Sequence, residues 1–301
     1  MSRTLARAAF SALLLSALVG ACGTSPEESQ QATANSILQA PKLRQARLIV
    51  REAKPTISGG MVLSSQRTLP VTLRLPRGSG IHPLLVFIHG YNSSPKTYAR
   101  IIDVLVRGGF VVAAPSFPLE DPEQGNGLDR GDLVHEAQDV SAVLNALQSS
   151  HWSPWIDWQS VTAFGHSDGA DVALSLGYDP AKLDKRITRV LAAAPDPLDF
   201  SPVTHGPPLL LIHGDADPIV PFASSEQVFG ALHATRCLLK LHGADHAGAI
   251  LGAAKATANF SRIFDAELLA FLRASTVSLA TACPALSRSS LLLATIEHAA
   301  S

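Results

Sequence analysis

The chain has 301 residues, 47% hydrophobic and 16% charged, with a formal net charge of −1. That length and apolar share can bury one large core, which excludes a disordered or fibrous polypeptide. A near-neutral balance without a basic block gives no footing for a nucleic-acid partner, so none is expected.

Arg3 and Arg7 precede a small apolar run, Ala8 to Val19, too short to span a bilayer comfortably, and Leu18-Val19-Gly20-Ala21-Cys22 follows. A basic start, an apolar middle and small residues before the end have the form of an export signal. The cysteine after small residues resembles the lipobox of bacterial lipoproteins, in which cleavage exposes Cys22 for lipidation. A plain signal cleaved nearby, with Cys22 incidental, is the other reading. The first implies a membrane-anchored lipoprotein and the second a periplasmic or secreted protein. Residues 1–22 are therefore read as the signal, and 23–45, rich in Ser, Gln, Ala and Thr, as a flexible tether.

A catalytic domain is expected over 46–275 and a low-charge tail over 276–301. Arg47 to Arg51 and Leu69 to Leu75 carry β-formers and read as early antiparallel strands. Pro83 to Ile88 is a continuous apolar run, suited to a strand buried on both faces of a parallel sheet, and it ends in His89-Gly90-Tyr91-Asn92. A helix is predicted from Pro95 to Arg107, a strand over Phe110 to Ala114, a long loop from Ser116 to Arg130, and an amphipathic helix over Asp132 to Gln148. Next come a strand at Val161 to Phe164, a helix at Asp168 to Gly177, and strands at Arg186 to Ala194 and Pro208 to Ile212. A helix near Ser224 to His233, a strand at Arg236 to Leu241 and a helix at Asn259 to Arg273 complete the series. Strands alternating with helices predict an α/β domain with a mostly parallel central sheet and helices on both faces.

In such sheets chemistry gathers at the carboxyl ends of the strands. Gly165-His166-Ser167-Asp168-Gly169 lies between a strand and a helix, a G-x-S-x-G turn able to hold a serine hydroxyl clear of the backbone. Asp215 and Asp217 follow the Ile212 strand, and Asp245 and His246 follow the Leu241 strand. A serine hydroxyl needs an imidazole to take its proton, the imidazole needs a carboxylate, and the developing oxyanion needs N–H donors. Each role has a candidate, in the order serine, acid, histidine.

Together with His213-Gly214-Asp215-Ala216-Asp217-Pro218-Ile219-Val220-Pro221 and Gly243-Ala244-Asp245-His246, the serine turn resembles the signature sites of the α/β-hydrolase fold. The similarity runs from about Leu69 to Arg273. Within that superfamily the chain is most similar to the lidless dienelactone hydrolase, chlorophyllase and cutinase-like serine esterase branch. His89-Gly90-Tyr91-Asn92-Ser93-Ser94 has the form of that branch's oxyanion loop. The resemblance implies Ser167 as nucleophile, Asp217 as acid and His246 as base, with the backbone N–H groups of Tyr91 and Asp168 as the oxyanion hole. It implies hydrolysis of a small-molecule or lipid-like carboxylic ester through an acyl-enzyme, with no metal or organic cofactor. Lipase, polyesterase or peptidase action on the same residues is the alternative within the class, and a non-catalytic surface lipoprotein the alternative outside it. Ala194-Pro195-Asp196-Pro197 puts no tryptophan where cutinase-like polyesterases often carry an aromatic platform, which counts against polyesters.

Several neighbours are rivals or supports. Asp215 competes with Asp217 and is expected to fix its own loop through backbone hydrogen bonds. His242 competes with His246 but sits in the strand pattern, where it is expected to point into the core. Asp245 is read as a loop or rim residue, His166 as a packed structural residue, and His89 as a brace beneath the oxyanion loop. The Asp168 carboxylate is expected to make a helix-start hydrogen bond, and a sharper reading has it weaken binding of anionic acyl groups. Tyr91 and Phe117 are expected to line an apolar pocket, and Trp152, Trp155 and Trp158 to pack at the amino end of the serine strand. Cys237 and Cys283 are either a disulfide or two buried thiols, and both readings stay open.

Overall fold

The sheet is built around strands with no exposed face. A computed structural model describes residues 44–252, 255–274, 283 and 292–299. The signal, Cys22, almost all of the tether and most of the 276–301 tail lie outside the described residues. The strands are β1 (Arg44–Glu52), β2 (Thr56–Ser58), β3 (Met61–Ser64), β4 (Arg67–Leu75), β5 (His82–Ile88), β6 (Val111–Pro115), β7 (Ile156–His166), β8 (Ile187–Ala193), β9 (Leu209–Gly214), β10 (Arg236–Leu241) and β11 (Ala294–Ala299). The helices are α1 (Ala99–Arg107), α2 (Leu133–Gln148), α3 (Asp168–Tyr178), α4 (Phe222–Ala231), α5 (Gly248–Leu251) and α6 (Ala258–Arg273).

Nine strands form one sheet in the order β1-β4-β6-β5-β7-β8-β9-β10-β11. The six from β6 to β10 run parallel, while β1, β4 and β11 pair antiparallel at the two margins. This is the mostly parallel α/β sheet that the sequence predicts. Because side chains alternate along a strand, Leu84, Val86 and Ile88 of β5 pack under α2, α3 and α4, while Leu85 and Phe87 pack under α1 and α6. Two apolar layers sandwich the sheet, so its central strands need no polar alternation.

The strand order also locates the crevice. After β5 the chain moves to β6 on one side, then returns to lay β7 on the other. Connections that diverge from two adjacent parallel strands open a gap beyond their carboxyl ends. His89 leaves β5 there, and Ser167 leaves β7.

Some details differ from the sequence reading. The helix expected from Pro95 begins at Ala99, after a turn closed by Thr97 N–H donating to the Ser94 carbonyl. The serine strand extends back to Ile156 and includes Trp158. All three tryptophans are partly buried against the core. Phe117 is wholly buried in the core, which runs against the expectation that it faces a pocket, whereas Tyr91 is 40% exposed. The β2–β3 hairpin and β11 have no counterpart in the sequence reading. Cys237 on β10 is disulfide-bonded to Cys283.

Candidate active site

Ser167 is the single residue between β7 and α3, with φ 56° and ψ −129°. Positive φ is uncommon for a residue with a side chain, and here it turns the chain sharply enough to present the hydroxyl. The flanking glycines are required sterically. A Cβ on Gly165 would lie 1.8 Å from the Gly169 carbonyl oxygen, and one on Gly169 would lie 2.2 Å from that of Ile88. The end of β5 thus presses on the turn, and a Cβ on Gly90 would meet the Ser167 Cβ at 3.0 Å.

That contact brings the His89–Ser94 loop beside Ser167. The Asp168 amide opens α3 and so has no intrahelical acceptor. Among the described residues the Tyr91 amide joins none of the turn and loop hydrogen bonds. His89 fixes the loop from below: its Nε2 accepts from the Phe117 N–H at 3.2 Å, which leaves Nδ1–H to donate to the Gly90 carbonyl at 3.0 Å. Burial lowers the pKa of His89 and keeps the ring neutral.

On the far side of Ser167, His246 Nδ1 lies 2.6 Å from Asp217 Oδ2. Asp217 Oδ1 accepts from the amides of Ile219 at 2.8 Å and Val220 at 2.9 Å. His213 Nε2 approaches Asp217 Oδ2 at 3.1 Å while its Nδ1 meets Ser225 Oγ at 2.7 Å. Burial pushes the Asp217 carboxyl up, but the His246 bond and the two amides outweigh it, so its pKa falls below the ordinary carboxylate value.

His166 couples the two halves. Its Nε2–H donates to the His246 carbonyl at 2.8 Å and its Nδ1 accepts from the Tyr98 hydroxyl at 2.9 Å. Its ring lies 4.7 Å from that of His246, centroid to centroid. Burial first, then the neighbouring His246, pushes its pKa down to about 4. The residue preceding Ser167 therefore holds the loop that carries His246. Among the described residues Ser167 and His246 share no hydrogen bond; His166 is the link between them. The sequence reading gave His166 only a packing role, and its position inside the serine turn was the one available signal.

The rivals are placed differently from expectation. His242 does not point into the core: its side chain is 38% exposed, and its Nδ1 is 2.9 Å from Asp215 Oδ2. Asp215 accepts from the Gly243 amide at 2.7 Å, so it ties the β9 end to the β10 end rather than fixing its own loop. Asp245 is exposed and caps the Gly248 amide at 2.6 Å. The Asp168 carboxylate makes no helix-start bond. It receives Arg130 Nε at 2.8 Å and Nη2 at 2.6 Å, and the same Nη2 donates to Asp196 at 2.7 Å. Sequence spacing carried no signal for a pair 38 residues apart.

Behind this pair lies an acidic interior. Arg67 is fully buried between Asp132 and Asp139, while Glu120 and Glu136, also fully buried, have no hydrogen-bond partner among the described residues. Burial, then the charges of Asp168 and Asp132, raises Glu120 to about 9. Carboxylate oxygens of Asp168, Asp171 and Asp196 come within 4.8 Å of one another, close enough to share a cation, and Arg130 supplies the positive charge there. A cavity of about 520 Å³ adjoins, lined by Arg130, Val134, Asp171, Leu198 and Phe200 among others.

The family model described as Chlorophyllase matches residues 50–208, which is more than half of the chain. Chlorophyllase type 0 of Chenopodium album is 28% identical over 132 residues, covering 42% of this chain and 38% of that protein. Chlorophyllase-1, chloroplastic, of Citrus sinensis is 28% identical over 109 residues, covering 36% and 32%. The chain thus spans well under half the length of the curated relatives it matches. Among solved structures, a ferulic acid esterase from Streptomyces cinnamoneus aligns with a TM-score of 0.66 at 15% identity, over 87% of this chain and 97% of that one. An alpha-beta serine hydrolase homologue from Coxiella burnetii aligns with a TM-score of 0.51 at 21% identity, over 65% and 91%. At these identities the structures speak for the fold. The family match holds the His89–Ser94 loop and the Ser167 turn and ends before Asp217 and His246. By that match, and with the sheet of an α/β-hydrolase, the chain belongs to the chlorophyllase family.

Proposed function

We propose that the protein is a serine hydrolase that cleaves carboxylic esters through an acyl-enzyme. The observation that carries this reading is the Asp217–His246 pair at 2.6 Å, with the His246 loop hydrogen-bonded to the residue before Ser167. Asp217 keeps the proton on His246 Nδ1, so Nε2 is free to take the Ser167 proton as the hydroxyl oxygen attacks the ester carbonyl. The amides of Tyr91 and Asp168 receive the oxyanion. His246 then gives its proton to the departing alcohol, and a water repeats the sequence to release the acid. The names of the relatives support an ester over an amide substrate. Ser167→Ala should abolish hydrolysis of p-nitrophenyl esters and labelling by an organophosphonate without shifting Tm downward; labelling that persists would move the nucleophile elsewhere. A panel of short-chain esters, lipid emulsions, polyesters and aminoacyl amides ranks the ester reading against lipase, polyesterase and peptidase action.

Export with lipid attachment at Cys22 is proposed on the leader sequence alone. Labelled fatty acid should be incorporated in a bacterial host and lost in Cys22→Ser; equal incorporation in both would discard the anchor.

A further inference from the structure

A two-stranded ribbon follows directly from the β1 edge of the sheet. Its strands, β2 and β3, turn through Gly59 and Gly60 at φ 55° and 79°, a tight reversal whose hand suits a twisted hairpin. Ile57, Met61, Val62 and Leu63 are 43%, 67%, 64% and 43% exposed. Ile57 pairs with Val62 across the ribbon, so those two share one face while Met61 and Leu63 occupy the other. Single exposed hydrophobics are ordinary; a ribbon apolar on both faces marks an interaction surface. An isolated hairpin is marginal in water. This one is held by Asp129 Oδ2, which accepts from the Ser58 hydroxyl at 2.7 Å and the Gly59 amide at 3.3 Å. Asp129 precedes Arg130, the residue that clasps Asp168 beside Ser167. The ribbon is therefore fastened to the loop that reaches the candidate site.

From Arg44 to Gln66 the chain carries Arg44, Arg47, Arg51 and Lys54 against a single acid, Glu52, in a protein whose formal net charge is −1. Lys54 beside the ribbon is paired with Glu52 and Asp139, and Asp129 sits at the ribbon's turn, so the cations left for a partner are those of β1. Arg47 and Arg51 alternate with Ile49, itself 45% exposed, along one side of β1. Among the described residues neither arginine forms an ion pair. Exposed apolar side chains flanked by uncompensated cations complement a bilayer interface, where apolar groups enter the acyl boundary and cations meet anionic headgroups.

We propose that the β2–β3 ribbon and the exposed side of β1 form a docking face for an anionic phospholipid surface. The ribbon enters the headgroup region, and Arg47 and Arg51 pair with lipid phosphates. This face acts whether or not Cys22 is lipidated, and it needs no assumption about catalysis.

The test uses the full chain with Cys22→Ser, which leaves no free thiol while Cys237 and Cys283 are bridged. Met61→Cys, and Gln159→Cys on β7 as a control, each carry an environment-sensitive fluorophore. Vesicles are phosphatidylcholine alone or mixed with phosphatidylglycerol. The label at 61 should brighten several-fold and shift to the blue on the mixed vesicles only, while the label at 159 stays unchanged. Arg47→Gln with Arg51→Gln should weaken the apparent vesicle affinity at least tenfold. An unmoved label at 61, equal responses at 61 and 159, or indifference to phosphatidylglycerol would each overturn the proposal. So would a vesicle-free dimer, seen by light scattering, that Val62→Arg converts to monomer, since the ribbon would then belong to a second copy of the chain.

Discussion

Asp217 and Glu120 both withdraw their side chains from solvent, yet they ionise in opposite senses. Asp217 lies among N–H donors from Ile219, Val220 and His246, so the anion is solvated by the protein in place of water. Glu120 has no donor, and its nearest strong influences are other carboxylates, Asp168 and Asp132. Burial alone therefore does not decide the charge of a carboxyl; the direction of the surrounding dipoles does. One side of the Ser167 turn holds a fixed negative charge aimed at an imidazole, and the other holds a neutral acid against an Arg-bridged carboxylate cluster.

Removing the ionised member should have the largest effect. Asp217→Asn keeps the size of the side chain but loses the charge that stabilises His246 when protonated, and kcat for ester hydrolysis should fall about 10⁴-fold. A loss below tenfold would give the acid role to another residue. Next is Arg67, which sits between Asp132 and Asp139 in the acidic interior. Arg67→Met strands two buried carboxylates and should cost about 3–5 kcal/mol in denaturant unfolding; a loss under 1 kcal/mol would mean those acids take up protons freely. The smallest effect belongs to Glu120 and depends on pH. Its folded pKa of about 9 lies well above the ordinary glutamate value of 4.5. The stabilisation from holding this acid neutral is complete below about pH 4.5 and is lost as pH rises through 9. Glu120→Gln should therefore gain on the parent protein by about 2–4 kcal/mol between pH 4.5 and pH 7. A stability difference independent of pH would show that Glu120 is ionised in the fold.

The strand-and-helix alternation was legible because central strands such as Pro83 to Ile88 are apolar without interruption and their helices have clear periodicity. The candidates Ser167, Asp217 and His246 were legible because each stands in the turn or loop that follows a parallel strand, one, three and five residues beyond β7, β9 and β10. What sequence hid depends on contacts across the fold. Arg130 and Asp168 are far apart in the chain, and a half-exposed arginine in a long loop has no periodicity to betray its partner. His242 occupies a strand position by pattern, but the strand has ended by that point and Asp215 holds the ring outward. β11 is recognisable only beside β10, since Ala294 to Ala299 alternates too weakly to stand out. The β2–β3 ribbon escaped because it is apolar on both faces, a pattern that reads as neither a core strand nor a surface one.

The backbone at Ser167 also limits which chemistry the position can host. At φ 56° a β-branched side chain would crowd its own peptide groups, so threonine is a strained replacement at this position even though it too carries a hydroxyl. Serine and cysteine, unbranched at Cβ, remain compatible, and glycine would relax the turn while removing the hydroxyl. Divergence at this position is therefore restricted by conformation before reactivity is considered: an unbranched Cβ carrying oxygen or sulfur fits the turn, and a β-branched one does not.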